Sequence, residues 1–512
     1  MNPRPYQIDF IEGVAKGFTA GHIRQLGVLP TGGGKTICFA HICNRFFTKR
    51  KEKTLVLAHR EELVEQAAEK IFKATGLLVS IEKAERHADR NAPVVVGSIQ
   101  TMQGKRLESW DKNHFGLIVC DEAHHVLSET WQNTLAYFDS RVLGVTATPD
   151  RGDKKNLATY FQNLAYECSI LDLIRDGFLS PIQIKAVPLQ IDLNAVKQTA
   201  GDYDSNQLDA AITPYLEQIA IYLRDECADR KKIVVFLPLI QTSEKFVEIC
   251  NRIGIASRHV DGMSKDRKKI LSDFTNSKFR LLSNAMLLTE GWDEPGVDCL
   301  LVLRPTKSRP LFAQMVGRGT RLFPGKQNLL LLDFLWLHEK HDLARPASLI
   351  ARTRKEEQSI TDVLLEAGEK DLNEAMEDAT AEREAALIRE IAGNARKKAR
   401  FIPIEHVAVL LKDLKMKDYS PVFPWEQMKP TDGQRNVIER FRIKCPDTRG
   451  EATMLMNKLF ARSKKNLASV AQIAHLHKLG HSSPETATSK EAKVFLDSKW
   501  KKPTQHFPEH KA

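Results

Sequence analysis

The chain has 512 residues, of which 42% are hydrophobic and 28% charged, and these proportions are typical of globular proteins. This length exceeds what a single hydrophobic core organises, so two or three domains are expected. No apolar run approaches the roughly 20 residues of a membrane-spanning helix. The N-terminus also carries prolines and an acid where a secretory signal is apolar. The sequence therefore predicts a cytoplasmic protein without a membrane partner.

The positive charge is concentrated towards the C-terminus. The chain has a formal net charge of +11. Residues 396–512 contain 24 basic and 12 acidic side chains, whereas the residues before them contain 52 and 53. Because basic segments bind polyanions by releasing counterions, nucleic acid is the favoured partner, and a solvated basic surface is the alternative.

The eight cysteines are scattered and form no C-x-x-C pair. The closest pair, Cys38 and Cys43, lies in an apolar helical pattern. Neither a zinc site nor a disulfide framework is indicated, and buried, reduced thiols are the expected state.

Short apolar strands alternate with helical patterns from residue 25 to about 181 and again from about 231 to 340. This alternation predicts parallel sheets covered by helices. We expect an α/β fold with two such domains in tandem, residues 1–181 and 231–340, joined by a connector at 182–230. The expected strands are Gln25–Leu29, Thr54–Ala58, Val94–Gly97, Leu117–Cys120 and Val142–Thr146, followed by Ile233–Leu237, Ser257–Val260, Phe279–Ser283, Cys299–Leu303 and Leu329–Phe334.

Beyond residue 340 the sequence predicts a mostly α-helical region. Residues 341–400 are rich in charged residues and alanine, which indicates exposed helices, and residues 401–512 form a basic helical domain. The sequence from Gln434 to T-R-G-E-A at 448–452 resembles the sequence from Gln472 to T-S-K-E-A at 488–492. Each copy predicts a helix, a turn and a second helix that begins with a capping box, so a weak internal repeat of a helical hairpin is expected.

A glycine-rich loop between a predicted strand and a predicted helix carries the first chemical signal. Leu29–Thr36 has the sequence L-P-T-G-G-G-K-T. Glycines let backbone N–H groups surround phosphate oxygens, Lys35 would reach the β- and γ-phosphates, and Thr36 would bind Mg²⁺. The strict pattern begins with glycine where this chain has Leu29, but the strand–loop–helix context supports the same role. The loop residues assigned to the nucleotide are Pro30, Thr31, Gly32, Gly33, Gly34, Lys35 and Thr36.

Two carboxylates follow the predicted strand at 117–120. Ligands of parallel α/β sheets bind at the carboxyl ends of the strands. Asp121 is therefore suited to hold Mg²⁺ through water, and Glu122 to orient and deprotonate the attacking water. A helix cap would explain one of these acids, but two adjacent acids downstream of a phosphate loop favour catalysis. His124, in the same D-E-A-H segment, would link the state of the nucleotide to the second domain.

The segment Q-M-V-G-R-G-T-R at 314–321 contains two arginines at i and i+3, which share one face of a helix. Arg318 and Arg321 would stabilise the negative charge that develops during phosphoryl transfer. Surface ion pairs are the alternative, but Gln314 and Gly317 in the same segment favour a functional role. The candidate catalytic residues are Lys35, Asp121, Glu122, Gln314, Arg318 and Arg321.

This ordered set of motifs resembles the superfamily 2 DEAD/DEAH-box helicases. The remaining motifs are L-V-L-A-H-R-E-E-L-V-E-Q at 55–66, G-S-I-Q-T at 97–101, T-A-T-P at 146–149 and L-L-T-E-G-W-D-E-P at 287–295. With R-P-Y-Q at 4–7 and V-G-R-G-T-R-L-F-P-G-K at 316–326, the chain is most similar to RadD-like and XPB-like DNA helicases of the type III restriction-enzyme helicase group. The resemblance ends near residue 340, because RadD-like proteins continue with a cysteine-rich segment and this chain has only Cys445 there.

The resemblance implies two RecA-like domains with ATP between them and nucleic acid across their tops. It assigns Arg4 and Gln7 to the adenine, and it places Asp293 and Gly291 near the ATP cleft, where they would couple the cleft to the strand. The residues that it assigns to the nucleic-acid backbone are Arg60, Ser98, Thr101 and Thr289. Those that it assigns to the coupling of hydrolysis with movement are Thr146 and Thr148.

Together the motifs predict an ATP- and Mg²⁺-dependent DNA helicase or translocase that acts in DNA repair, recombination or replication. ATP would close the two domains on the strand, and hydrolysis would reopen them. The alternatives are an RNA helicase, the motor subunit of a larger restriction or repair complex, and a nucleic-acid-binding scaffold with inert domains. The longer motif forms favour DNA over RNA, and protein partners would bind through the C-terminal region.

Overall fold

The computed structural model describes residues 2–59, 61–147, 157–199, 202–285, 288, 292–337, 343–351, 354–382, 407, 410–411, 419 and 424–500. The chain divides into two compact units, Met1–Ala379 and Thr380–Ala512, and each unit is described by itself. Within the described ranges, no helix combines the length and the apolar character needed to cross a membrane.

The larger unit has two lobes. The first lobe, residues 2–181, is built on a seven-stranded sheet in which all paired strands are parallel. Its central strands are apolar and buried along nearly their whole length, as expected for a sheet that helices cover on both faces. The strands are β1 (Arg24–Val28), β2 (Thr54–Ala58), β3 (Val79–Glu82), β4 (Val94–Ser98), β5 (Leu117–Asp121), β6 (Arg141–Thr146) and β7 (Asn163–Glu167), in the spatial order β3-β4-β2-β5-β6-β1-β7. The helices are α1 (Pro5–Thr19), α2 (Lys35–Arg50), α3 (Glu61–Thr75), α4 (Gly104–Glu108), α5 (Glu129–Tyr137) and α6 (Ile170–Arg175).

The second lobe contains another seven-stranded sheet, which is parallel except for one edge strand. Its spatial order is β12-β13-β11-β14-β15-β8-β16, and a separate two-stranded ribbon joins β9 and β10. The strands are β8 (Ile182–Asp192), β9 (Gln198–Thr199), β10 (Asp202–Tyr203), β11 (Ile233–Phe236), β12 (Ser257–Val260), β13 (Leu281–Asn284), β14 (Cys299–Val302), β15 (Leu329–Leu337) and β16 (Glu369–Asp371). The helices are α7 (Ser205–Ile212), α8 (Leu216–Glu226), α9 (Ile240–Arg252), α10 (Arg267–Thr275), α11 (Arg309–Gly317), α12 (Arg354–Ala367) and α13 (372–382).

The predicted pair of parallel-sheet domains is confirmed, but the domain limits differ from those expected. Strand β8, which the sequence placed in a connector at 182–230, pairs with β15 inside the second sheet. Residues after 340, expected as separate exposed helices, extend the same lobe. There β16 pairs with β8, while Ile360 and Leu364 of α12 join the hydrophobic core. The second lobe therefore begins at residue 182 and continues to about residue 379.

The smaller unit is helical in its described part. Its helices are α14 (Pro424–Gln427), α15 (Asp432–Arg440), α16 (Arg449–Lys464), α17 (Val470–Lys478) and α18 (Ser489–Trp500). Two helix pairs, α15 with α16 and α17 with α18, follow the two copies of the repeat. Helices α15 and α17 both begin with a reciprocal capping box, and both are followed by a residue in the left-handed region, Arg442 at φ +58 and Gly480 at φ +74. The similarity of the two copies therefore includes their helix termini.

A buried ion pair fixes the loop that enters the second lobe's β14. Lys232 Nζ lies 2.9 Å from Glu294 Oε1, and the two side chains are only 6% and 3% exposed. Glu294 also accepts hydrogen bonds from the Thr275 hydroxyl at 2.6 Å and the Gly296 amide at 3.2 Å, while Lys232 donates to the Thr275 carbonyl at 2.8 Å. These bonds offset the desolvation of both charges.

We expect Lys232→Met to destabilise the larger unit, because it leaves the Glu294 carboxylate buried without its cation. Breaking a buried pair from one side costs about 3–5 kcal/mol. The measurement is the midpoint of chemical denaturation followed by tryptophan fluorescence. The neighbouring Lys231 has an exposed side chain, so Lys231→Met is the matched control and should leave the midpoint nearly unchanged. Equal midpoints for the two variants would contradict a stabilising role for the pair.

Candidate nucleotide-binding cleft

A cavity of about 340 Å³ lies where the carboxyl ends of β1 and β5 face helix α11 of the second lobe. Its walls include the phosphate-loop candidates, the acid pair and the arginine segment, which lie far apart in the sequence. The lining residues are Pro30, Thr31, Gly32, Gly34, Lys35, Thr36, Ile37, Leu63, Gln66, Ala67, Lys70, Lys73, Asp121, Glu122, Trp292, Asp293, Gln314, Arg318 and Arg321.

The glycine-rich loop has the backbone conformation that its glycines permit. Gly32 and Gly34 have φ values of +86° and +82°, a region in which a side chain is strained. Helix α2 begins directly after Gly34 and its first residues line the cavity, so the positive end of the helix dipole faces it. A Cβ atom at Gly34 would lie 2.4 Å from Gln7 Nε2. The loop therefore needs glycine both for its turn and for this approach.

The N-terminal helix α1 supports the same loop. Gln7 Nε2 donates to the Gly33 carbonyl at 3.0 Å, and the Tyr6 hydroxyl donates to the same oxygen at 2.9 Å. Gln7 Oε1 accepts from the Arg4 amide at 2.9 Å. The Arg4 guanidinium lies over the Phe178 ring, 5.5 Å from its centroid. Gln7 thus lies against the phosphate loop, whereas Arg4 contacts the segment that leads into the second lobe.

An ion pair connects the loop to the acid segment. Lys35 Nζ lies 2.8 Å from Glu122 Oε1, and both side chains are largely buried. Glu122 has a left-handed backbone, at φ +54°, and follows Asp121 at the end of β5. Burial alone would raise the pKa of the Glu122 carboxyl, but the charges of Lys35 and His124 outweigh it and hold the pKa below its ordinary value. Glu122 is therefore ionised at neutral pH.

The arginine segment approaches the same cavity from the second lobe. Arg318 is 8% exposed and donates from Nη1 to the Trp292 carbonyl at 2.9 Å. Arg321 Nη1 lies 2.7 Å from Asp293 Oδ1. Burial lowers the pKa of the Arg321 guanidinium, while Asp293 opposes that shift. Gln314 is buried on the same helix and also lines the cavity.

The two lobes are in direct contact at the base of the cavity. A Cβ atom at Gly317 would lie 2.4 Å from Thr31 Cβ, and one at Gly32 would lie 3.1 Å from the Leu179 side chain and 3.3 Å from the Thr320 hydroxyl. The Ser180 amide donates to the Thr320 carbonyl at 2.7 Å. The phosphate loop and the arginine segment are therefore separated by no more than one side chain.

The residues present suit a nucleoside triphosphate with Mg²⁺. The cavity is lined by the N-terminus of helix α2, three lysines and two arginines, and of these cations Lys35, Arg318 and Arg321 are the candidates for binding phosphate oxygens. Glu122 Oε2 is buried and has no hydrogen-bond partner among the residues that the structure describes, which suits an acceptor for a substrate water. The described residues contain no cluster of three or more metal-ligating side chains. Thr36 and Asp121 would therefore hold Mg²⁺ together with waters and phosphate oxygens, the usual arrangement for this ion.

The residues assigned to nucleic acid and to coupling are only partly within the described chain. Ser98 is fully buried, and its hydroxyl lies 3.2 Å from that of Thr101 and 3.1 Å from Gln100 Oε1. Thr146 is buried at the end of β6, and its carbonyl accepts from the Leu29 amide at 3.0 Å. The assigned residues that lie outside the described chain are Arg60, Thr148, Thr289 and Gly291.

Three imidazole rings in contact with one another adjoin the acid segment. The rings of His59 and His125 are 4.1 Å apart and nearly parallel, and the rings of His125 and His124 are also 4.1 Å apart. His124 Nδ1 lies 3.5 Å from Glu122 Oε2. The His59 carbonyl accepts from Gln100 Nε2 at 2.7 Å. Sequence reasoning gave His59 and His125 no role, because their contact depends on the neighbouring ends of β2 and β5 and has no periodicity.

Family models match two parts of the chain. A model of the res subunit of type III restriction enzymes matches residues 1–151, and a model of the helicase conserved C-terminal domain matches residues 215–322. The two matches fall in the first and second lobes, and together they contain every residue assigned to the cleft.

Curated relatives agree with these matches. The chain is 33% identical, over 65% of its length and 51% of the relative, to a protein of Saccharomyces cerevisiae named as the ATP-dependent helicase IRC3. It is 31% identical, over 65% of its length and 57% of the relative, to a protein of Schizosaccharomyces pombe named as a mitochondrial ATP-dependent helicase irc3. It is 27% identical, over 65% of its length and 46% of the relative, to a type I restriction enzyme EcoAI endonuclease subunit of Escherichia coli. The chain thus spans about half the length of these relatives.

Solved structures share the fold. A fragment assigned to the HsdR subunit of a type I restriction enzyme from Vibrio vulnificus YJ016 superposes with a TM-score of 0.53 at 25% identity, over 65% of this chain and 64% of the fragment. The DNA-bound type ISP restriction-modification enzyme LlaBIII also gives a TM-score of 0.53, at 15% identity over 97% of this chain and 42% of the enzyme. The two family models and the curated relatives identify the chain as a superfamily 2 helicase of the group that includes the helicase domains of restriction enzymes.

Proposed function

We propose that the protein is a DNA-dependent ATPase that uses ATP hydrolysis between its two lobes to move along or remodel DNA. The observation that carries this proposal is the cavity itself, where Lys35 and Glu122 of one lobe face Arg318 and Arg321 of the other. A site divided between two lobes can change the distance between them when its ligand is bound or hydrolysed.

Nucleotide binding requires an exchange of partners in the cleft. Lys35 is paired with Glu122 at 2.8 Å, so β- and γ-phosphate oxygens would compete with that carboxylate for the ammonium. The exchange would release Glu122 to accept a hydrogen bond from the attacking water. Mg²⁺ held by Thr36 and Asp121 would neutralise charge on the phosphate oxygens. Gln7, which already bonds to the loop, would contact the adenine.

Hydrolysis would then use both lobes. Glu122, ionised at neutral pH, takes a proton from the attacking water, while the guanidinium groups of Arg318 and Arg321 stabilise the charge on the transferred phosphoryl group. Loss of the γ-phosphate removes the anion that both arginines share with Lys35. The lobes then lose an attraction, and this change would move the grip on the strand.

DNA is the substrate we favour. Two observations support it: relatives in restriction enzymes, and a basic C-terminal segment that suits a polyanion. Repair, recombination or replication would use such a motor. The relatives in restriction complexes also keep open a role as the motor subunit of a larger assembly. The cysteines, all buried thiols, suit a reducing compartment, and we propose the cytoplasm.

We expect purified protein to hydrolyse ATP and DNA to stimulate this reaction. Lys35→Ala should abolish activity, because it removes the phosphate ligand. Glu122→Gln should lower kcat by about 100-fold or more, since it removes the base, while binding of a fluorescent ATP analogue persists. Steady-state phosphate release with matched DNA and RNA strands measures the stimulation and the loss of kcat in the two variants. Glu129→Gln, at an exposed position of α5, is the control.

The outcomes of this assay separate the alternatives. Stimulation by RNA alone would identify an RNA helicase. If the wild type hydrolyses no ATP, with or without nucleic acid, the alternative of a nucleic-acid-binding scaffold with inert domains would be favoured.

Gly317→Ala should slow hydrolysis by roughly 10- to 100-fold, because the added Cβ would meet Thr31 at 2.4 Å and shift the arginines away from the phosphate loop. The measurement is kcat, compared with analogue affinity and thermal stability. Gly262 has open space around its Cβ position, so Gly262→Ala is the control. Wild-type kcat in Gly317→Ala would show that the close contact of the lobes is not needed for turnover.

We expect the basic C-terminal unit to supply part of the DNA affinity. Neutralising three of its exposed cations, in the triple variant Arg442→Gln, Lys444→Gln and Lys478→Gln, should weaken duplex binding and lower its dependence on salt concentration. Neutralising the exposed Lys16, Lys49 and Lys51 of the first lobe is a control of equal charge. Fluorescence anisotropy at several salt concentrations measures both slopes. If the two variants show the same dependence of DNA affinity on salt concentration, the C-terminal unit is a solvated basic surface that makes no specific contribution to DNA binding.

A further inference from the structure

A tight turn at residues 323–326 follows the arginine segment and reverses the direction of the chain. The Lys326 amide donates to the Phe323 carbonyl at 3.0 Å, with Pro324 and Gly325 between them. Gly325 has φ +80°, so the turn has the proline-then-glycine arrangement of a type II turn. The reversal brings the Lys326 side chain back to the loop that carries Arg321.

Lys326 binds this loop at two points. Its ammonium donates to the Arg321 carbonyl at 3.0 Å and also to the Gly319 carbonyl. The Thr320 carbonyl between them accepts from the Ser180 amide at 2.7 Å. Three consecutive carbonyls, from Gly319 to Arg321, are thus hydrogen-bonded, two of them by one side chain.

The environment of this ammonium is unusual for lysine. Burial lowers the pKa of Lys326 to about 8, the nearby Arg321 guanidinium adds to this effect, and Asp298 opposes it. Arg321 itself is 2.7 Å from Asp293 and lines the nucleotide cavity. A partly desolvated cation held beside another cation needs bonds to offset its cost, and the two carbonyls supply them.

We propose that Lys326 is a positioning residue for the arginine at the nucleotide site: it fixes the backbone of residues 319–321 so that the Arg321 guanidinium points into the cavity. This inference rests on the proposed ATPase function. Lys326 does not line the cavity, so it acts on turnover through Arg321. It should therefore contribute to kcat and not to the affinity for ATP.

The first test replaces the ammonium. Lys326→Met should lower kcat of nucleic-acid-stimulated hydrolysis by roughly 10- to 100-fold with less than a twofold change in KM, because the Arg321 guanidinium is misplaced while the phosphate loop is intact. Lys326→Arg keeps a cationic donor and should restore part of the rate. Lys268, at an exposed position of α10, provides the matched control Lys268→Met.

A double-mutant cycle separates positioning from general support of the fold. If Lys326 acts through Arg321, then Lys326→Met should cause little further loss in an Arg321→Ala background. Additive losses, or a KM that rises as kcat stays constant, would overturn the proposal. So would wild-type kcat in Lys326→Met. Absence of hydrolysis in the wild type would instead count against the proposed function, so the two failures are distinguishable.

Discussion

The close contact between Gly317 and Thr31 is the constraint on which the cleft depends. The proposed phosphoryl transfer needs cationic groups within reach of the phosphates, and the cations that line the cavity come from two separate lobes. A side chain at residue 317 would occupy the space of Thr31. Glycine therefore sets the distance between the lobes, and this distance brings Arg318 and Arg321 to the same cavity as Lys35. Charge alone would not do so, because each arginine already has a partner in its own lobe.

Those partners belong to a loop that a buried ion pair anchors. Trp292 and Asp293, which contact the two arginines, directly precede Glu294. Glu294 is buried and paired with Lys232, which directly precedes β11 of the second sheet. A buried ion pair adds little net stability, but removal of either partner is costly, so it defines one conformation of the loop. The orientation of the arginines is therefore connected, through three consecutive residues, to the core of the second lobe.

The sequence predicted the parts of this architecture that depend on local pattern. The central strands lie within a few residues of their expected positions, because strands buried on both faces are short apolar runs. The phosphate loop and Glu122 were identifiable from residue type and spacing. The place of β8 in the second sheet could not be predicted in this way, because its partner β15 is distant in the sequence. The same is true of the His59–His125 stack and of Lys326, whose contacts arise only when separate strands and turns come together.

The backbone of the arginine segment, residues 314–321, is hydrogen-bonded from two different parts of the structure, the Lys326 side chain and the Ser180 amide. Lys326 and its turn belong to the second lobe and move with it. Ser180, which binds the Thr320 carbonyl, lies in the short segment that leads from α6 into β8. Ser180 stands at the junction of the lobes, because the Leu179 amide donates to the Leu173 carbonyl of the first lobe and the Pro181 carbonyl accepts from the Leu329 amide of the second. The arginine segment therefore has one anchor, Lys326, that lies wholly within the second lobe and another, Ser180, that lies at the junction with the first lobe. Under the proposed function, this junction would let a change in the angle between the lobes adjust Arg318 and Arg321 without a contact between these arginines and the DNA.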